Sequence, residues 1–256
     1  DCEFKPRRRK GKQWWVAVLA AAISLPGSRQ SLVAAPVQVQ ETRLDNGLRL
    51  IVRHNPGAAT VAVAGAVRVT AAQEPEGQEG LRQLVQLSLT GGAADAGVLT
   101  DTQTQGDFVS IMARAPDREA QAALKAVVDL ALKAHFDSAT IRGSQRVLER
   151  MAQAEQELAL MAASRAGREN LYPAMARYAD PRAARLLLAP SMVQRFYDQH
   201  FVPNNLVLVV SGPMDLKTAR ALVQEQTAGL LPGRSTEEIG VVSAPPRLGL
   251  HRMTMR

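Results

Sequence analysis

Apolar and polar positions alternate over Thr42 to Arg53, TRLDNGLRLIVR, which predicts two half-buried strands joined at Asp45-Asn46-Gly47. Asn and Gly tolerate positive φ, so that triplet is a turn signal. A second turn is predicted at His54-Asn55-Pro56-Gly57 and a third strand over Thr60 to Val69, TVAVAGAVRV. The three strands read as a β-meander opening the domain. The period then changes. In Gly77 to Gly92, GQEGLRQLVQLSLTGG, residues Leu81, Leu84, Val85, Leu87 and Ser88 fall at helical spacing, and Gly91-Gly92 end the helix. A strand is predicted around Phe108 to Arg114. Asp117 reads as the cap of a helix with Ala120, Leu124, Val127, Val128 and Ala131 on one apolar face. Ser138 opens a long helix reaching about Ala163, amphipathic over Val147 to Glu157.

An irregular stretch with Pro173 and Pro181 precedes a helix capped at Ser191, with Val193, Phe196, Tyr197 and His200 on one side. Pro203-Asn204-Asn205 turns into an apolar strand, Leu206 to Val210, and Asp215 caps a last helix, Leu216 to Thr227. Hairpins mixed with helices, rather than strict βαβ units, predict an α+β fold with helices packed on a largely antiparallel sheet.

Composition changes this picture little in the body and more at the amino terminus. Aromatics are only 4% of the 256 residues, so alanine, leucine and valine must fill the core. The formal net charge is +7, but residues 1–12 contribute +4 of it (six Lys and Arg against Asp1 and Glu3). No basic stripe with interleaved aromatics follows, so no nucleic-acid partner is expected. The single Cys2 excludes an internal disulfide and any multi-cysteine metal site. A basic cluster, Arg7 to Lys12, leads into the apolar run Trp14 to Leu25 and then into small residues at Ser31 to Ala35. That order is the order of a secretory signal. The run falls short of the about 20 apolar residues of a comfortable membrane span. Residues 1–36 are therefore read as an export signal or membrane anchor, with membrane association through residues 7–25. Residues 37–235 are read as the domain, and 236–256 as a linker and the start of a second half. The expected location is exported, periplasmic or membrane-associated.

Four segments, in order, carry a family resemblance: LDNGLRLIVRHNPGAATVAVAGAVRV, EPEGQEGLRQLVQLSLTGG, FDSATIRGSQRVLERMAQAEQE and SMVQRFYDQHFVPNNLVLVVSGPMD. Together they resemble the amino-terminal half of M16 zinc peptidases, the insulinase, pitrilysin and mitochondrial-processing-peptidase family. The resemblance implies an M16 peptidase-like (LuxS/MPP-like) half with an α/β sandwich fold. It also implies a place for an inverted zinc motif, H-x-x-E-H, in which two histidines one helical turn apart bind zinc and the glutamate activates a metal-bound water. Here the first histidine falls at Gln83, the glutamate at Gln86 and the second histidine at Leu87. The third ligand falls at Arg150, with Glu149 beside it. An amide is a poor zinc ligand, leucine is none, and arginine repels the ion. Gln86 cannot act as a general base.

No metal or other cofactor is therefore expected, and no catalytic residue. His54, His135, His200 and His251 are scattered, and Ser110 and Ser211 lack a nucleophile elbow. The connection over residues 92–106 is shorter than the family's, which is expected to alter the substrate-pairing edge strand near Asp101 to Thr104. The apolar run Leu186-Leu187-Leu188 is a candidate association face. The reading is a catalytically inactive M16-type subunit paired with an active zinc-peptidase half. Its alternatives are a structural core subunit of a membrane complex and a divergent active zinc peptidase.

Overall fold

Asn46 and Gly47 close the first hairpin as the turn chemistry requires. Gly47 takes φ +86, its N–H donates to the Leu44 carbonyl at 2.9 Å, and Asn46 Oδ1 accepts from Leu48 N at 3.2 Å. The computed structural model describes residues 38–89, 98–158 and 188–233, with a few isolated helical positions between 160 and 167. The expected export signal 1–36, Gly91-Gly92, Pro173, Pro181, Leu186-Leu187 and segment 236–256 lie outside the described residues.

Six strands are present: β1 (Gln38–Arg43), β2 (Arg49–His54), β3 (Thr60–Arg68), β4 (Leu99–Gln105), β5 (Phe108–Pro116) and β6 (Leu206–Gly212). Five helices stand among the described residues: α1 (Leu81–Leu89), α2 (Ala120–Leu132), α3 (Ser138–Glu157), α4 (Pro190–His200) and α5 (Leu216–Gln226). The sheet order is β1-β2-β6-β3-β5-β4. All pairs are antiparallel except β2 with β6, so the α+β fold with a largely antiparallel sheet holds.

The opening meander does not form. β6 lies between β2 and β3, parallel to the first and antiparallel to the second. Its alternating Leu206, Leu208 and Val210 extend the buried row of Leu50 and Val52 on one side and Val61 and Val63 on the other. A β2–β3 hairpin would satisfy local turn geometry alone, whereas the inserted strand buries more apolar side chain.

Three helix boundaries also move. Asp117 begins a 3₁₀ turn, Asp117–Glu119, and its carboxylate accepts from Arg118 N, so it does not cap α2. The cap residue of α4 is Ala189, because Pro190, which has no N–H to satisfy, takes the first helical position ahead of Ser191. α3 opens at Ser138 as expected but ends at Glu157, short of Ala163; Asp137 caps it by accepting from Thr140 N. Asp215 caps α5 as expected, accepting from Thr218 N at 2.8 Å. These backbone bonds hold the Asp137 and Asp215 carboxyls below their ordinary range. Their contribution to stability is present above the unfolded carboxyl range and is lost as pH falls through the lowered folded values.

The expected faces are buried. Ala120, Leu124, Val127, Val128 and Ala131 of α2 cover the sheet, and Val193, Phe196, Tyr197 and His200 of α4 point inward. Gly65 leaves room for α2: a Cβ there would stand 2.9 Å from Val127 Cγ1. None of the described helices is long and apolar enough to cross a membrane.

Gly47→Ala is expected to cost about 2–4 kcal/mol, from the left-handed φ and from overpacking. The new Cβ would sit 2.7 Å from Asn204 Cβ. Urea unfolding at constant m-value measures the loss, and a change below that of an ordinary exposed Gly→Ala would refute the tight contact.

Candidate functional site

The motif helix α1 is short, and its start is built from outside itself. The buried Glu74 carboxylate accepts from Gly80 N at 2.9 Å and Arg82 N at 2.8 Å, satisfying two of the free amides at the helix amino terminus. Arg82 Nη1 donates to the carbonyls of Val69, Gln105 and Gly106. Burial lowers the Arg82 pKa, and Glu74 and Asp107 oppose that shift. One guanidinium thus ties α1 to the end of β3 and to the β4–β5 turn. The sequence reading missed this pair. Its only signal was a glutamate, EPEGQEG, placed before a helix that lacks its own cap.

Along α1 the three motif positions differ in burial. Gln86 is buried, while Gln83 and Leu87 are half-exposed. The Gln86 amide is committed to the edge strand β4. Its Nε2 donates to the Thr102 carbonyl and to Thr102 Oγ1, both at 2.9 Å. Thr102 Oγ1 returns a bond to the Gln86 carbonyl at 3.1 Å, and Thr104 Oγ1 donates to Gln86 Oε1 at 3.4 Å. A residue standing where the water-activating glutamate would stand thus spends its polar atoms joining helix to strand. β4 is a regular strand, running antiparallel to β5 from Leu99 to Gln105.

α3 packs on α1 through Ser88 Oγ, which donates to Leu84 O and lies 3.0 Å from Ser144 Oγ. Ser88, Leu89 and Thr140 line one small cavity of about 280 Å³, so the two helices run antiparallel. Counted from the serine contact, Arg150 is about 9 Å along α3 and Gln83 about 7.5 Å back along α1, at the same end of the pair. The stripe of α3 that faces inward is Ile141, Ser144 and Leu148. Arg150 lies two positions beyond Leu148, about 200° around the helix, and is exposed, as is Glu149. The structure therefore brings Gln83, Gln86 and Leu87 onto one short helix and turns Arg150 outward.

The histidines do not converge. His54 ends β2 near Asp215, His135 is exposed, and His251 lies outside the described residues. His200 is buried against Phe196, with ring centroids 4.5 Å apart, and its Nδ1 lies 3.3 Å from Gln73 Nε2. Burial lowers its pKa, so the neutral ring is the one that packs. Asp198 accepts from Gln194 rather than serving His200. Among the described residues no group of three His, Cys, Asp or Glu could hold a metal ion.

Residues 188–255 match the family profile described as "Peptidase M16 inactive domain". The match begins just before α4 and leaves α1 and α3 outside it. A coenzyme PQQ synthesis protein F from Pseudomonas aeruginosa is 30% identical over 225 residues, covering 80% of this chain and 28% of that protein. Two solved structures share the fold. A peptidase M16 inactive domain from Pseudomonas fluorescens aligns with TM-score 0.69 at 14% identity, over 78% of this chain and 53% of that one. The first half of the periplasmic protease PqqL from Escherichia coli aligns with TM-score 0.65 at 18% identity, over 79% of this chain and 49% of that one. The chain thus spans between about a quarter and about half of the proteins it resembles.

Gln86→Glu is expected to destabilise the fold by about 2–3 kcal/mol at neutral pH, because a carboxylate cannot donate to the Thr102 carbonyl and is buried against it. Such a carboxyl has a raised folded pKa. Its protonated form can donate, so the loss should shrink as pH falls. Unfolding free energies of both proteins across pH measure this, and a Gln86→Glu protein as stable as the parent at neutral pH would refute the structural role of the amide.

Proposed function

Because the chain belongs to the M16 peptidase family, we propose that it is a catalytically inactive M16-type half that pairs with a second half bearing the zinc chemistry. The observation that carries the reading is Gln86, whose amide binds the edge strand where an active enzyme needs a free carboxylate. Leu87 offers no donor atom, and Arg150 is a cation turned to solvent. The residues present do not fit zinc: two amides, an isobutyl group and a guanidinium supply no anionic or imidazole ligand. The "inactive domain" description of the matching profile agrees with this reading. Pairing is supported by the solved structures the chain resembles, one of which is the first half of a larger protease.

Its contribution to the pair is a wall of the peptide-holding chamber, with the reaction performed by the partner. Export is the second element of the proposal. It is supported by the basic-then-apolar order of residues 7–25 and by the periplasmic description of PqqL.

The test is reconstitution of the full chain with an M16 protein of the same source that retains H-x-x-E-H. Hydrodynamic size should rise, peptide cleavage by the mixture should exceed that of the partner alone, and zinc analysis should place the metal on the partner. Unchanged size and activity across candidate partners would refute pairing and leave a scaffold role. One retained zinc per chain in this protein alone would refute the inactive assignment. For export, a reporter fused after residue 40 should leave the cytoplasm, and arginines at Val18 and Leu19 should retain it. A reporter that stays cytoplasmic with the native segment refutes the signal.

A further inference from the structure

β1 ends the sheet without sealing it. On the helix-covered face of its neighbour β2, Leu50 and Val52 are fully buried. The β1 residues that continue this face are Thr42, Gln40 and Gln38, and both glutamines are exposed. α5 packs on β2, and its outer flank overhangs β1. Between the two lies an open cleft of about 700 Å³, lined by Gln38 and Gln40 from the strand, by Asp215, Lys217 and Arg220 from α5 and its cap, and by His54 at one end. The apolar run singled out in the sequence offers no such opening at its described residue, since Leu188 is buried.

The cleft is cationic, and the strand below it is a free edge. Lys217 and Arg220 are exposed and form no ion pair among the described residues. The carboxylate in the cleft, Asp215, is held by its cap bond to Thr218 N. Among the described residues β1 pairs with β2 alone, so alternate N–H and C=O groups of β1 point away from the sheet. On the opposite face of β1, Val39 is 64% exposed, while Glu41 binds Arg49 and Arg43 donates to the Gly47 carbonyl.

We propose that the β1 edge takes an extended acidic segment of a partner protein as an added strand, with an acidic-apolar-acidic triplet set against Gln38, Val39 and Gln40. Side chains alternate across a strand, so the two acids enter the cleft toward Lys217 and Arg220, and the apolar residue between them covers Val39 on the other face. Acids two residues apart on a strand are about 7 Å apart. Lys217 and Arg220 are about 4.5 Å apart along α5, a difference that their long side chains span. Backbone bonds to the edge give affinity, and the alternate side chains give the preference. Charge decides against a second copy in this place: two chains joined edge to edge would set the Lys217 and Arg220 flank of one α5 against the same flank of the other. A small anion would use the two cations but leave the free edge and Val39 unmet. The assignment is independent of the pairing reading, because β1 is the edge of the sheet opposite β4.

The experiment uses the full chain with Cys2→Ser and a fluorescent peptide carrying a central Glu-Val-Glu between Ser and Thr residues. Its anisotropy should rise to saturation with added protein, and a Lys-Val-Lys counterpart should not bind. The double reversal Lys217→Glu, Arg220→Glu, at two exposed positions, should weaken binding by at least about tenfold with the urea midpoint unchanged. Methylating alternate backbone nitrogens of the peptide should abolish binding in one register and spare it in the other, because an added strand pairs through every other N–H. A Val39→Cys thiol should react readily with a maleimide in the chain alone and more slowly under saturating peptide, while Val147→Cys on α3 keeps its rate. A Val39→Cys thiol already protected in the chain alone means the edge is occupied and overturns the proposal. Binding that survives both methylated registers, or that free glutamate displaces equally well, reduces the cleft to a small-anion site and overturns the added strand. Spontaneous Val39→Cys disulfides between copies would give the edge to a second copy and overturn it too. None of these outcomes bears on pairing, which is read with a different protein.

Discussion

The fold depends on the insertion of β6 between β2 and β3. Leu206, Leu208 and Val210 are each no more than 1% exposed, and they join two otherwise separate hairpins into one continuous apolar face. Without β6, the pair β1–β2 and the trio β3–β5–β4 share no hydrogen bonds between strands. The two-stranded pair by itself would be marginal. The register of β6 is set at its entry, where Asn205 Nδ2 donates to the His200 carbonyl and Asn204 approaches the Gly47 turn. Contacts about 150 residues apart in sequence thus complete the sheet, and such long loops close slowly in folding.

The candidate site stands apart from that join. It lies between α1, whose Leu81, Leu84 and Val85 enter the core, and the outermost strand β4. Substitutions there are constrained mainly by the need to satisfy buried polar atoms. Gln86 meets that constraint through Thr102 and Thr104, and Ser88 does so through Leu84 and Ser144. Glu74 and Arg82 hold the helix in place independently of any metal. The amino terminus of α1 needs a cap whatever its chemistry, and the buried Glu74 carboxylate supplies it.

A sheet that packs helices on one face leaves its other face half-covered. On this chain that face is apolar along β3 and cationic at one end.

Periodicity made most of the elements legible. The alternation in β3 and β5, the helical spacing of Leu81 to Ser88 and Ala120 to Ala131, the Asn-Gly turn and the Asp215 cap all follow from local chemistry. Residue type alone also says that leucine and arginine are not zinc ligands. Local chemistry could not decide strand neighbours: β2 and β3 read as a meander because the competing strand, β6, lies far along the chain. It could not decide the cap at Ala189 over Ser191, a choice made by the proline between them. Nor could it reveal that Gln86 is held by Thr102, that Glu74 caps a helix beginning only at Leu81, or that Arg150 turns outward. Those depend on which surfaces meet, and in this protein the meeting surfaces come from distant segments whose pairing is settled only when the apolar faces are buried together.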